Sequence, residues 1–276
     1  MAAEVPGPRE RNNGPAVVVA LIGAMAIVVG ALIAKSDGKD SAGTDDGVVG
    51  DAVTVQIEPD LDWYGEGWSL AFEEGLPSDV EALGVPDHNL QIRDWGVVRG
   101  GVDITFSAWT VLITNRSDVL VRVTDLRPRV ISREDPIDGA FLESPPAGAD
   151  PSIVLHADLD TGDRPQFVEL DEESGIAADQ PFFGTNTVSV PPQDSVEFVL
   201  RIETRACYCT YVLDLTSSSG GASTTREIRT PSGDPFLVSA YADAYDSYWG
   251  EGSFHACPNQ VLIPMNRDGT PVDRCP

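Results

Sequence analysis

The sequence predicts a mainly β protein: an N-terminal transmembrane helix, a flexible acidic linker, then an antiparallel, immunoglobulin-like β-sandwich with one or two short helices. Three observations predict it. Residues 16–34 form an unbroken apolar run, and residues 36–51 are rich in Gly, Asp and Ser. From residue 102 onward, short runs of Val, Ile, Leu and Thr alternate with polar residues between turn-forming Pro, Gly, Asn and Asp.

Residues 1–15 read as a cytoplasmic tail and Ala16 to Ala34 as the span. These 19 residues hold no charged or strongly polar side chain. At about 1.5 Å per residue they make roughly 28 Å of helix, close to the ~30 Å hydrocarbon thickness of a bilayer. The competing reading is a cleaved signal peptide, whose apolar region usually runs about 7–15 residues before a small-x-small site. Here the run is longer, Lys35-Ser36-Asp37-Gly38-Lys39-Asp40 offers no such site, and Val29-Gly30-Ala31 lies inside the run. No cysteine stands nearby to accept a lipid. Arg9 and Arg11 precede the span and the large domain follows it, which predicts a plasma-membrane protein with its N-terminus inside. Lys35 and Lys39 oppose that orientation. Gly23, Ala26, Gly30 and Ala34 share one helical stripe that would let two copies of the helix pack as a dimer.

Residues 35–51 form the tether, with almost nothing apolar to bury. The extracytoplasmic β-rich domain is expected over 52–276, with its core at about 102–240. Val53, Val55 and Ile57 alternate with polar residues as a half-buried strand requires. Ser78-Asp79-Val80-Glu81 has capping-box spacing before Ala82-Leu83-Gly84, which predicts a short helix. Trp109 to Thr114 and Val119 to Val123, joined by Asn115-Arg116-Ser117-Asp118, predict a hairpin. Residues 134–151 read as a long Pro- and Gly-rich excursion. Candidate strands follow at 153–155, 167–170, 187–190 and 196–202. Residues 207–215 are expected to pair with 224–229 across the Ser-rich turn at 217–221. Tyr241, Tyr245, Tyr248 and Trp249 recur at helical spacing, interleaved with Asp243 and Asp246, before Gly250. This predicts an amphipathic helical turn packing aromatics on the sandwich, or an exposed aromatic–acidic platform suited to sugars.

Charge narrows the function. There are 44 Asp and Glu against 18 Lys and Arg. Residues up to 39 contain only three of those acids and four of those bases, leaving 41 acids and 14 bases beyond. Such a polyanion repels nucleic acid, whose binding rests on Lys and Arg contacts to phosphate, and disfavours flat binding to anionic lipid. The same charge would keep an exported domain soluble.

The chain contains 4 cysteines, Cys207, Cys209, Cys257 and Cys275, all in the C-terminal region. An even count outside the cytoplasm predicts disulfides, and three connectivities are open. In a regular strand Cys207 and Cys209 would lie about 6.6–6.8 Å apart, at the edge of bridging distance. Bonds from that strand to Cys257 and Cys275, stapling a tail at 241–276, are therefore the first expectation. Zinc on Cys207, Cys209, His255 and Cys257 is the metal alternative, although the spacings depart from the usual knuckle. Free or redox-active thiols are a third. Asp158, Asp160 and Asp163 crowd one loop and offer oxygen ligands for calcium, but the order departs from an EF-hand, and an ordinary polar turn reads as well. No nucleophile elbow, zincin motif, phosphate loop or kinase signature is present, so neither catalytic residues nor a cofactor is expected.

Arg99-Gly100-Gly101-Val102-Asp103, the Val119–Val123 run, Cys207-Tyr208-Cys209-Thr210-Tyr211-Val212-Leu213-Asp214-Leu215 and Thr230-Pro231-Ser232-Gly233-Asp234-Pro235-Phe236 carry a resemblance. Across about 100–235, with gaps, the chain resembles uncharacterised single-pass membrane proteins of Streptomyces-like actinobacteria. The resemblance implies the anchor, the Cys-x-Cys strand and a Gly-x-Pro-Phe turn. It implies no activity, and Cys257 and Cys275 lie outside it. The expected function is a non-enzymatic, membrane-anchored interaction or sensing module that meets an unknown protein or envelope polymer. The alternative is a cell-envelope carbohydrate-binding or carbohydrate-active protein. A pocket lined by Trp249, Tyr245 and two carboxylates about 5–10 Å apart would favour the alternative. An exposed apolar strand edge would favour the first.

Overall fold

A computed structural model describes residues 52–60, 67–76, 89–144, 154–170, 177–251 and 262–272. Within them the chain is mainly β, with three sheets and two helices. The apolar run at 16–34, the linker and the helix predicted at 78–84 lie outside the described residues. No described helix is long and apolar enough to cross a membrane.

The first sheet orders β1 (Val53–Pro59), β4 (Phe106–Asn115), β11 (Ser195–Glu203), β7 (Val154–Asp158), β8 (Val168–Leu170) and β9 (Ala177–Pro181) side by side. The second orders β10 (Val188–Val190), β5 (Val121–Glu134), β12 (Tyr208–Ser219) and β13 (Ala222–Ile228), with β14 (Phe236–Ser239) also on β12. Alternation fixes which face each strand buries. Val111 and Ile113 of β4 and Phe198, Leu200 and Ile202 of β11 meet Cys209, Tyr211, Leu213 and Leu215 of β12 in one core. Two sheets enclosing a shared core make a sandwich. Ser107 of β4 and Tyr211 of β12 share a 2.6 Å hydrogen bond across it, and Phe236 stacks on Tyr211 with centroids 5.2 Å apart.

The expected pairing of 207–215 with 224–229 is present, with Leu213 opposite Ile228. Gly220 and Gly221, both at positive φ, make the turn. The hairpin predicted across Asn115–Asp118 is not. β4 pairs with β1 and β11, whereas β5 pairs with β10 and β12, so this turn crosses from one sheet to the other. Asn115 explains it: wholly buried, its Nδ2 lies within 3.1 Å of the carbonyls of Val119, Val190 and Pro191, and its Oδ1 accepts from Ser117 N. A buried amide satisfied by the turn itself, by the end of β10 and by the loop after β10 takes the place of the ladder a hairpin would have formed. The sheets are also not purely antiparallel. β11 runs parallel to β7, a geometry that long crossover connections permit.

The third sheet orders β16 (Leu262–Met265), β15 (Ser247–Glu251), β6 (Ala140–Ser144), β2 (Trp68–Phe72) and β3 (Val102–Asp103). β6 falls in the supposed excursion at 134–151, where Ala140-Phe141-Leu142 is apolar enough to pair with both β2 and β15. One face of this sheet, with Leu70, Phe72 and Leu142, is covered by Ile92 and Trp95 of helix α1 (Asn89–Val98). Arg93 of that helix is buried, and its Nη2 donates to both carboxylate oxygens of Asp103 at 2.8 and 2.9 Å. A second helix, α2 (Phe182–Thr185), is a single turn after β9.

The third sheet joins the sandwich at Thr105. Ile104 N donates to Ser69 O in the third sheet, while Thr105 N donates to Ser239 O of β14 and Thr204 N donates to Thr105 O. Thr105 takes φ 70°, which a β-branched residue rarely adopts, and this lets one continuous segment leave β3 and enter β4.

Close backbone approach sets the start of β6. A Cβ on Gly139 would lie 2.5 Å from the carbonyl oxygens of both Phe72 and Glu73. Gly139→Ala should therefore part β6 from β2 and lower unfolding stability by about 3 kcal/mol, as overpacking against rigid backbone does. Urea denaturation would read the loss, and an unchanged midpoint would refute this packing.

Candidate ligand cleft

The face of the third sheet opposite α1 carries Phe141. Parallel register sets Tyr248 beside it, and Met265 lies opposite Tyr248. The chain before β15 folds over this face, so that the rings of Tyr241, Tyr245 and Tyr248 surround Phe141 at centroid distances of 5.8, 5.1 and 5.8 Å. Their hydroxyls are structural in part. Ala242 N donates to Tyr245 Oη and Tyr245 N donates to Tyr248 Oη, each at 3.2 Å. Burial pushes the Tyr245 hydroxyl pKa up. Tyr241 remains 57% exposed.

The helical turn predicted from the aromatic spacing is absent. Residues 247–251 are strand β15, and Gly250 pairs inside it rather than ending a helix. Tyr and Trp suit a strand, and two neighbours waiting to pair outweigh a helical periodicity only a few residues long.

Beside the rings opens a cleft of about 360 Å³. Tyr241, Tyr245, Tyr248 and Trp249 line it, together with Glu143, Asp243 and Asp268. Asn266 and Arg267 complete the rim. Arg267 donates to the carbonyl of Asp243, tying the turn after β16 to the segment before β15. That turn is closed by Gly269 N to Asn266 O and by Asp268 Oδ1, which accepts from Thr270 N and Oγ1. Those hydrogen bonds hold the Asp268 carboxyl below its usual pKa. Aromatic faces with ionised carboxylates at their edge can stack a ligand's apolar face and accept hydrogen bonds from its donors.

Trp249, Tyr245 and Asp243, named from sequence, line this cleft, but Asp246 does not, and Phe141, Glu143, Arg267 and Asp268 were not among the residues named. Ala140-Phe141-Leu142-Glu143 did carry a signal, a short apolar alternation within a polar stretch.

The calcium candidates serve the fold. Asp158, Asp160 and Asp163 bracket a 3₁₀ turn at Leu159–Thr161. Asp158 Oδ1 accepts from Asp160 N. Asp160 accepts from Thr204 Oγ1 and Arg205 N at 2.8 Å each. Asp163 pairs with Arg133 at 2.6 Å. No set of three or more metal-ligating side chains gathers among the described residues.

The cysteine expectation is corrected. Cys207 is joined to Cys209, with Cα atoms 5.4 Å apart. Cys207 precedes β12 rather than continuing it, so the spacing of a regular strand does not apply. Neither cysteine remains to reach Cys257 or Cys275, and the two cannot give thiolates to a zinc set with His255 and Cys257. Cys257, Cys275 and His255 lie outside the described residues. The C-terminal segment is held instead by β15 and β16 in the third sheet.

A charged cluster sits on the first sheet. Glu203 accepts from Arg205 Nε at 2.7 Å and lies 3.2 Å from His156 Nε2. Burial pushes the Glu203 pKa up, but these hydrogen bonds outweigh it and the net shift is downward. A carboxyl with a depressed folded pKa stabilises above its unfolded pKa, and that contribution is lost as pH falls through the folded value. Below about pH 4 the wild-type urea midpoint should fall more steeply than that of Glu203→Gln, which starts lower by about 1–2 kcal/mol at neutral pH. Parallel midpoint curves down to acid pH would contradict this role.

No protein-family model matches the chain, and no curated protein matches it. Among solved structures it is similar to one titled "X-ray structure of Northeast Structural Genomics Consortium target SoR45". That match has 10% identity and TM-score 0.26, and it covers 69% of this chain and 88% of that one.

Proposed function

We propose that this chain is a membrane-anchored binding module whose immunoglobulin-like extracytoplasmic domain takes its ligand in the aromatic–acidic cleft. The observation that carries the reading is the convergence of Tyr241, Tyr245, Tyr248 and Trp249 with Glu143, Asp243 and Asp268 around one opening. The apolar run at 16–34 supports an anchor through the plasma membrane, and Arg9 and Arg11 support an inside N-terminus. The Cys207–Cys209 bond fits an oxidising compartment.

A carbohydrate-binding role is the second reading, favoured by Trp249 and Tyr245 sharing the cleft with three carboxylates. Hydrolysis is less well supported than binding. A glycosidase acid needs a raised pKa, whereas that of Asp268 is lowered by Thr270. An apolar strand edge, which would favour a docking surface instead, is poorly supported by β13, whose residues Ala222–Glu227 are exposed and polar or small.

The test combines location and binding. Full-length chain should stay in membranes through alkaline wash and be cut by protease added to intact cells. Envelope material captured by the detergent-extracted chain should be lost with Tyr241→Ala/Asp243→Asn. Recovery of full-length chain in the detergent-free soluble fraction would overturn the anchor. Undiminished capture by the double variant would overturn the cleft.

A further inference from the structure

We infer that the cleft recognises a primary ammonium on an aliphatic stem, the lysine side chain of a basic peptide segment. The inference rests on the cleft being the ligand site and adds the chemical class of what fills it. Three features of the cleft converge on this ligand.

The first is charge at the rim. Glu143, Asp243 and Asp268 line one opening, with Arg267 as the single cation among its described lining residues. The Arg267 guanidinium is directed at the Asp243 carbonyl and so serves to close the rim. Asp268 is held ionised by its bonds to Thr270. An anionic ligand would meet net repulsion here, and a cation net attraction strengthened by the low-dielectric ring wall.

The second is the wall itself. The exposed Tyr241 ring and the half-buried Tyr248 offer π faces beside those carboxylates, whereas the neighbouring Trp249 packs its ring toward the opposite face of the sheet. Aromatic faces attract ammonium groups, and their breadth covers the methylenes of a long stem. An ammonium has three donors and no acceptor, which matches carboxylates. The cleft's volume of about 360 Å³ accommodates a side chain of that size.

The third is the domain's own composition. The chain's only two lysines are Lys35 and Lys39, so residues 40–276 contain no lysine. Residues 40–276 hold 41 acids and 14 bases, a field that would draw a polycationic segment from a distance and speed its encounter.

The test is fluorescence polarisation of a labelled peptide of alternating Lys and Gly, titrated with the full chain in a polyoxyethylene detergent free of sugar and choline groups. The wild type should bind it, and Nε-acetylation of the lysines should abolish binding. Tyr241→Ala, which leaves net charge unchanged and truncates an exposed ring, should weaken binding about threefold to fivefold, the loss of one cation–π contact at an exposed site. Glu143→Gln/Asp268→Asn should weaken it further, Asn retaining the turn's acceptor. Equal affinity for wild type and Tyr241→Ala would mean attraction by the domain's charge at large and would overturn the inference, as would binding of the acetylated peptide. A neutral oligosaccharide that binds with sensitivity to Tyr241→Ala, where the lysine peptide does not bind, would overturn the ammonium class and leave the cleft standing. Envelope capture indifferent to the cleft variants would instead remove the reading beneath it.

Discussion

Everything that places the cleft depends on one junction, where Thr105 and Ser239 meet. Thr105 holds φ 70°, a conformation that costs a β-branched side chain roughly 1–3 kcal/mol. Two backbone hydrogen bonds over-determine it, to Ser239 O at 2.7 Å and from Thr204 N at 2.9 Å. The wholly buried Ser239 adds its hydroxyl, which accepts from Ile137 N and donates to Ala240 O. The third sheet thus enters the fold as the continuation of β4, β5 and β14. Its Phe141 face is oriented by the sandwich core, which is closed by Tyr211, Phe236 and Ser107. Rings held on strands of a packed scaffold lose less entropy on binding than rings on a loose loop.

Parts of this were legible in the sequence because they are local. The β12–β13 hairpin was readable from Ser- and Gly-rich punctuation between alternating runs, and its Gly220-Gly221 turn suits the twist of paired strands. The β4–β5 connection has the same local appearance and the opposite outcome. What separates them is where the Asn115 side chain goes, to carbonyls of β10 and the following loop some 75 residues away in sequence, and no window of sequence contains that. The Thr105 kink is equally silent, because it is imposed by strands from three parts of the chain.

The cleft was half legible for a related reason. The residues with the chemistry, Tyr241, Tyr245, Trp249 and Asp243, stood out, but their spacing favoured a helix. The parallel partner β6, hidden between proline- and glycine-rich stretches, made β15 a strand and brought Phe141 beneath the rings. The Cys207–Cys209 bond escaped because regular strand geometry was assumed for a residue that precedes the strand. In each case the chemistry of a residue was readable and its direction was not, since direction is set by non-local pairing.

The account's central claim is that the cleft is occupied where the protein works. Hydroxyl-radical footprinting of the full chain, in native membranes and after detergent purification, addresses it most directly. Tyr241 should be oxidised markedly less in the membranes than in the purified chain, while the exposed Leu120 and Ile131 react alike in both. Equal oxidation of Tyr241 in the two preparations would contradict the claim.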